Sequence, residues 1–259
     1  MKVVLFCGGL GMRIRADNHS APKPMTTIGD QPILWHIMRY YAHFGHTDFI
    51  LCLGHGGRAV KDYFLNYQET MYNDFVLSKG GTEVRTLGSD ISEWTVTFAD
   101  TGRETAIGER LRRVREHLDG DDVFLANYGD GVSDVDINDQ IARLPAGHAG
   151  SLLAVPPQDS FHVVNVDGDE GMHGVEAVAD MDMWINGGFF VLRQDIFDYI
   201  PPGGDLVMDG CVRASAEGRF TAHKYRGFWA CMDTLKERAY LEELCHSGDA
   251  PWEVWKKRQ

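Results

Sequence analysis

Apolar residues along this 259-residue chain fall into two alternating kinds of run. Lys2-Val-Val-Leu-Phe-Cys7 is unbroken, β-rich and ended by glycines, the pattern of a strand buried on both faces of a parallel sheet. From Pro32 to Phe44 the period becomes helical, with Ile33, Ile37, Tyr40, Tyr41 and Phe44 on one side and Pro32 suited to the first turn. Asp48 to Leu53 returns to a buried strand, which completes a βαβ unit. The alternation continues as a helix over Arg58 to Tyr67, a strand over Trp94 to Asp100, a helix over Gly108 to Leu118 and a strand over Asp122 to Asn127.

Beyond Gly150 the pattern is richer in strands: Ser151 to Val155, Phe161 to Val166 and Trp184 to Leu192. Helices are expected over Gln194 to Ile200 and Thr234 to Ser247, and the Gly/Ser-rich Leu77 to Ser92 reads as a long surface loop. The whole predicts one α/β domain over 1–259, a doubly wound, mostly parallel mixed sheet flanked by helices.

Composition leaves that picture intact and narrows the function. Apolar residues make up 44% and charged residues 24%, values of a soluble globular protein. A net charge of −13 excludes the broad basic face that nucleic acid requires, so local cations must carry any phosphate binding. Five cysteines, odd in number and set mostly in apolar runs, fit neither a disulfide framework nor paired metal ligands and point to a reducing cytoplasm. Val3 to Cys7 is too short for a signal or membrane segment, and no later run reaches membrane length.

The first strand runs directly into Gly8-Gly9-Leu10-Gly11-Met12-Arg13. Glycines at that point free backbone N–H groups to face a phosphate. Ile14 stands where a dinucleotide fingerprint needs its third glycine, and no Gly-Lys-Ser/Thr follows as in a Walker A loop. Together with Pro22-Lys23-Pro24 the loop resembles the signature of the sugar nucleotidyltransferase family, a GGxGxR(L/I) loop followed by a proline-flanked lysine. Further blocks resemble its cytidylyltransferase branch: Gln31 to Met38, Asp100-Thr-Gly102 with Arg110 to Val114, Tyr128 to Asp134, Trp184 to Val191, Gly227-Phe-Trp229 and Met232-Asp-Thr234.

That resemblance implies a Rossmann-like nucleotide-diphospho-sugar transferase fold, with 1–135 mainly binding nucleotide and 150–259 mainly binding sugar phosphate. It also implies a reaction in which a sugar 1-phosphate displaces pyrophosphate from a nucleoside triphosphate. A phosphate monoester carries about −1.5 to −2 charge at neutral pH, so it attacks without a general base. The protein must neutralise crowded phosphates and align them.

By resemblance, Arg13 holds the triphosphate and the developing pyrophosphate, Lys23 meets the α-phosphate, and Gly8, Gly9, Gly11, Met12 and Gly129 line the nucleotide. Asp130 and Asp233 match the family's metal aspartates and would hold Mg²⁺ with substrate phosphates and water. Read without the resemblance, Asp130 is a turn former and Asp233 a helix N-cap. Asn186 and Gly187 lie in the turn that the family uses for the sugar, with Glu176 nearby. Relatives assemble as homo-oligomers, and the Leu77 to Ser92 loop with the cationic Arg110 to Arg115 segment is an expected intersubunit or nucleotide-covering region.

The departures from the family fall on the sugar side. The Glu-Lys-Pro block whose lysine grips the sugar phosphate reads Glu176-Ala177-Val178, a glycine under the sugar is His162, and Asp205 to Arg213 replaces an acidic helix. On the nucleotide side the loop threonine is Met12. CTP and a hexose 1-phosphate are the first expectation, with His162 or Arg226 taking over from the lost lysine. GTP, dTTP or UTP with an unusual sugar 1-phosphate, and a non-catalytic nucleotide-binding subunit, remain as alternatives.

Overall fold

The computed structural model describes residues 1–9, 22–158, 162–168, 170–178 and 181–256. Strand β1 (Lys2–Phe6) is buried at every position after Lys2, as its unbroken apolar run requires. The short strands β2 (Thr27–Ile28) and β3 (Gln31–Pro32) form a hairpin that leads into helix α1 (Ile33–His43), which Pro32 starts and whose apolar face is buried. Strand β4 (Asp48–Leu53) lies parallel to β1, Lys2 opposite Asp48 and Phe6 opposite Cys52, and is followed by helix α2 (Gly57–Leu65).

Residues expected as an irregular loop contain a hairpin, β5 (Phe75–Ser78) and β6 (Glu83–Thr86), with Leu77 opposite Val84. Its pattern escapes a reading based on burial because Phe75, Leu77 and Val84 are all exposed. Strand β7 (Thr95–Asp100) extends the sheet beside β4, and helix α3 (Ile107–Arg113) ends sooner than its apolar pattern suggests, the remainder forming a 3-10 turn over Arg115–Leu118. Strand β8 (Val123–Tyr128) pairs parallel to β1 on its other edge, and β9 (Gly131–Ser133) and helix α4 (Ile137–Ala142) follow.

The second half adds β10 (Gly150–Val155), the hairpin β11 (His162–Val166) and β12 (Met172–Ala177), β13 (Ile185–Asn186), β14 (Phe190–Arg193) and helix α5 (Ile196–Tyr199). A wide helical turn over Leu206–Cys211, capped by the Asp205 side chain, continues into helix α6 (Val212–Ala216). Strands β15 (Phe220–Lys224) and β16 (Trp229–Cys231) and helix α7 (Leu235–Ser247) complete the order. The single strand expected over Trp184 to Leu192 is broken into β13 and β14 by a turn with Gly188 at φ +77° and Phe189 at φ +47°.

The main sheet has the order β13-β10-β14-β8-β1-β4-β7, with β15 on the free edge of β10. It is parallel from β8 through β7, while β14 runs antiparallel to both β8 and β10. Alternation of side chains along each strand builds two cores. Val3, Leu5, Phe49, Leu51 and Leu125 face one layer with α1, and Val4, Phe6, Ile50, Phe124 and Ala126 face the other with α3 and α5. The architecture is the expected α/β fold, a mostly parallel mixed sheet between helices.

One polar residue inside the first core has a pH consequence. His36 is buried, its Nε2 donates to the Ile28 carbonyl at 3.0 Å, and its Nδ1 therefore accepts from Trp252 Nε1 at 3.3 Å, an arrangement that needs the neutral ring. Burial lowers its pKa below the ordinary 6.5, against the raising effects of the Ile28 carbonyl and Glu253. The unfolded chain thus takes up a proton first as pH falls, and the stability that neutral His36 contributes, complete above about 6.5, is lost on acidification below it. Denaturant titrations at pH 7.5 and 5.5 should show a smaller acid loss in His36→Gln than in the parent; an equal loss would remove His36 from the account.

Candidate active site

Three polar side chains far apart in sequence meet at the carboxyl ends of β1 and β8. Lys23 opens a single 3-10 turn, Lys23–Met25, between Pro22 and Thr26. Two glycines let that turn approach the sheet. A Cβ on Gly129 would lie 2.9 Å from Pro24 Cγ and 3.0 Å from the Phe6 carbonyl, and one on Gly56, at φ +73°, would lie 2.9 Å from Pro22 Cδ. The proline-flanked lysine is thereby clamped between two backbones.

The two aspartates come together through a short antiparallel ladder. In β9 and β16, Gly131 pairs with Cys231, and the Met232 N–H donates to the Asp130 carbonyl at 2.9 Å. This places Asp130, just before β9, beside Asp233, just after β16. Lys23 Nζ donates to Asp130 Oδ2 at 2.5 Å and to Asp233 Oδ1. Burial alone would lower the Lys23 pKa, but the two carboxylates outweigh it and hold the ammonium above its ordinary value. Burial pushes the Asp130 carboxyl up, with Lys23 opposing.

Asp233 is held from several sides. Its backbone N–H donates to Glu237 Oε2 at 2.7 Å, and Cys231 Sγ contacts its Oδ2 at 3.6 Å. The N-cap of α7 is Thr234, which forms a capping box with Glu237, so the capping role considered for Asp233 belongs to its neighbour. Among the described residues no cluster of three or more His, Cys, Asp or Glu could hold a metal. Two partly exposed carboxylates that converge on one positive charge could nevertheless serve a hard divalent cation that completes its shell with phosphate and water.

On the nucleotide side Gly8 and Gly9 follow β1, while Gly11, Met12 and Arg13 lie outside the described residues. Beneath Gly8 lies the Arg110 guanidinium: a Cβ there would be 2.3 Å from Nη1. Arg110 is buried, not part of a cationic surface as expected for the Arg110 to Arg115 segment. Its Nη1 donates to Leu53 O at 3.2 Å, Thr101 Oγ1 at 2.7 Å and Gly102 O at 2.8 Å, and its Nη2 donates to Arg103 O at 3.3 Å. The residue ties the ends of β4 and β7 together under Gly8. Sequence reasoning missed this role, because a run of three arginines at a helix end reads as solvated charge.

The sugar motif adjoins the aspartates through Trp229. Its Nε1 donates to the Gly187 carbonyl at 2.8 Å and lies 3.9 Å from where a Gly131 Cβ would stand. Asn186 Nδ2 donates to Tyr128 Oη at 3.1 Å, Asn186 Oδ1 accepts from Gly188 N at 2.9 Å, and Asn127 Oδ1 accepts from Phe189 N at 3.0 Å. These polar side chains enforce the turn that breaks the expected strand. Asn186 and Gly187 are therefore brought to the Asp130 neighbourhood.

The other sugar-side candidates are more dispersed. His162 and Glu176 are exposed on the β11–β12 hairpin, where His162 stands directly opposite Ala177, the position of the missing lysine, and Glu176 opposite Val163. Arg226 lies with its guanidinium carbon 4.8 Å from the centre of the Trp184 ring.

No family model matches the chain. Glucose-1-phosphate cytidylyltransferase of Salmonella typhi is 37% identical over 257 residues, covering 98% of this chain and 100% of that protein. D-glycero-alpha-D-manno-heptose 1-phosphate guanylyltransferase of Campylobacter jejuni is 27% identical over 202 residues, 76% of this chain and 78% of that protein. Among solved structures, HddC from Yersinia pseudotuberculosis shares the fold with a TM-score of 0.65 at 17% identity, over 93% of this chain and 98% of that one.

Proposed function

The chain belongs to the sugar nucleotidyltransferase family and is a nucleotidyltransferase, and from that premise we propose that it joins CTP to a hexose 1-phosphate, releasing pyrophosphate. The single observation that carries the reading is the convergence of Lys23, Asp130 and Asp233, from three distant segments, next to the Asn186-Gly187 turn. Gly8, Gly9, Gly11, Met12, Arg13 and Gly129 would surround the triphosphate. His162, Glu176, Asn186, Gly187 and Arg226 would surround the sugar phosphate.

Asp130 and Asp233 would hold Mg²⁺, which when bound neutralises phosphate charge and orients the leaving pyrophosphate. The protein's own part is positional. Lys23, released from one carboxylate, reaches the α-phosphate, and Asn186, fixed by Tyr128 and Gly188, presents its amide to sugar hydroxyls. No side chain needs to move a proton, because the attacking oxygen is already anionic. Alignment and electrostatic stabilisation supply the rate.

A cytoplasmic location belongs to the same proposal, supported by five free thiols, Cys7, Cys52, Cys211, Cys231 and Cys245; among the described residues no helix is long and apolar enough to cross a membrane. The exposed apolar faces of the β5–β6 and β11–β12 hairpins support a homo-oligomer. A guanylyl-, thymidylyl- or uridylyltransferase acting on an unusual sugar 1-phosphate is the second reading, favoured by the replacement of the sugar-phosphate lysine with Ala177.

The test is a matrix of four nucleoside triphosphates against hexose and heptose 1-phosphates with Mg²⁺, read as pyrophosphate release. CTP with one hexose 1-phosphate should exceed every other pair by at least about tenfold in kcat/KM, the scale of one well-made polar discrimination. A different winning pair establishes the second reading. Binding of a triphosphate without pyrophosphate release from any pair would mark a non-catalytic subunit.

A further inference from the structure

Trp184 is half-buried at the entry to β13 and is fixed by its Nε1, which donates to Asp182 Oδ1 at 2.9 Å. Two cations rest on its ring: Lys224 Nζ at 4.6 Å and Arg226 Cζ at 4.8 Å from the centroid. Both side chains are exposed, and among the described residues neither takes part in a salt bridge. Two like charges on one indole repel each other, and among the described residues no ion pair offsets that repulsion. An anion between or above them would relieve that repulsion.

The pair is aimed at the sugar turn by the sheet itself. Ala154 on β10 pairs with Asn186 on one side and with Lys224 on the other, so Asn186 and Lys224 share a face two strands apart, a span of about 10 Å. The segment that carries Arg226 is fastened at both ends to Asp134 Oδ1, by Tyr225 Oη at 2.6 Å and Phe228 N at 2.8 Å. Trp229 follows at once and binds the Gly187 carbonyl.

We infer that Lys224 and Arg226, held on Trp184, form the phosphate grip for the sugar 1-phosphate and supply the charge that Ala177 lacks. The ligand class is a dianionic phosphate monoester, whose oxygens accept from the ammonium and the guanidinium fork together. Trp184 is a positioning residue that holds both cations against one indole, two residues before Asn186. The inference rests on the sugar 1-phosphate reading proposed above.

Lys224→Gln and Arg226→Gln should each raise the KM for the sugar 1-phosphate about tenfold, and the double variant more, while CTP affinity measured by calorimetry stays at the parent value. Lys224→Arg should retain the parent KM, which a merely structural role for the lysine stem would not require. Calorimetry with inorganic phosphate on the full chain gives a readout independent of turnover, and the double variant should lose the binding that the parent shows. An unchanged sugar-phosphate KM in the double variant overturns the grip and leaves the proposed reaction standing. No turnover by the parent with any sugar phosphate, but phosphate binding that the double variant loses, sinks the reaction and supports an anion site at Trp184. Phosphate binding equal in parent and double variant overturns the site itself.

Discussion

Asp130→Asn is expected to reduce the rate of pyrophosphate release by at least about a thousandfold while leaving the folded structure intact. The carboxylate is one of two that converge on Lys23, and the amide keeps its shape but removes the charge that a divalent cation requires. The fold should not suffer. The Asp130 carbonyl still accepts from Met232 N, Lys23 keeps Asp233, and burial already disfavours a charged group at this position. A coupled pyrophosphate assay beside a thermal melt distinguishes the two effects. Near-parental turnover would overturn the site, and a collapsed melt would show that Asp130 is structural.

The largest loss of stability is expected at Arg110. Arg110→Ala removes four donated hydrogen bonds, to Leu53, Thr101, Gly102 and Arg103, and empties the buried space that the guanidinium fills beneath Gly8. Removing a large buried side chain together with its charge-assisted hydrogen bonds costs about 3–5 kcal/mol, which for a chain of this length lowers the melting temperature by about 10 °C. Arg110→Lys should recover little, since an ammonium cannot reproduce the planar fork. Because Gly8 rests on the guanidinium, triphosphate binding should weaken along with stability. A melt within about 2 °C of the parent would show that Arg110 is not the strut between β4 and β7.

Much of this was legible along the chain, for identifiable reasons. β1 and β4 are unbroken apolar runs because both of their faces are buried, and α1 carries apolar residues at helical spacing although Ile33 to Met38 are buried without a break. The glycine spacing after β1 excluded two commoner phosphate loops, and the flanking prolines singled out Lys23. Elements whose burial is uneven were harder to see. β5 and β6 carry exposed apolar residues, β12 is exposed at Glu176 and Met172, and the Asn186–Phe189 turn is set by hydrogen bonds to Asn127 and Tyr128 from another strand.

What the sequence determined by itself is therefore local: the buried strands, the helix α1, the glycine spacing after β1, and a net charge of −13. The tertiary structure alone decided which distant charges meet. Asp130 and Asp233 are neighbours because β9 and β16 pair, and Lys23 reaches both because Gly129 and Gly56 admit its turn. In the same way Lys224 and Arg226 join Trp184 across the sheet, while Arg110 is buried to brace the ends of β4 and β7 beneath Gly8. Periodicity records the burial of each residue along its own segment, whereas pairing between segments depends on hydrogen bonds and packing that carry no local pattern.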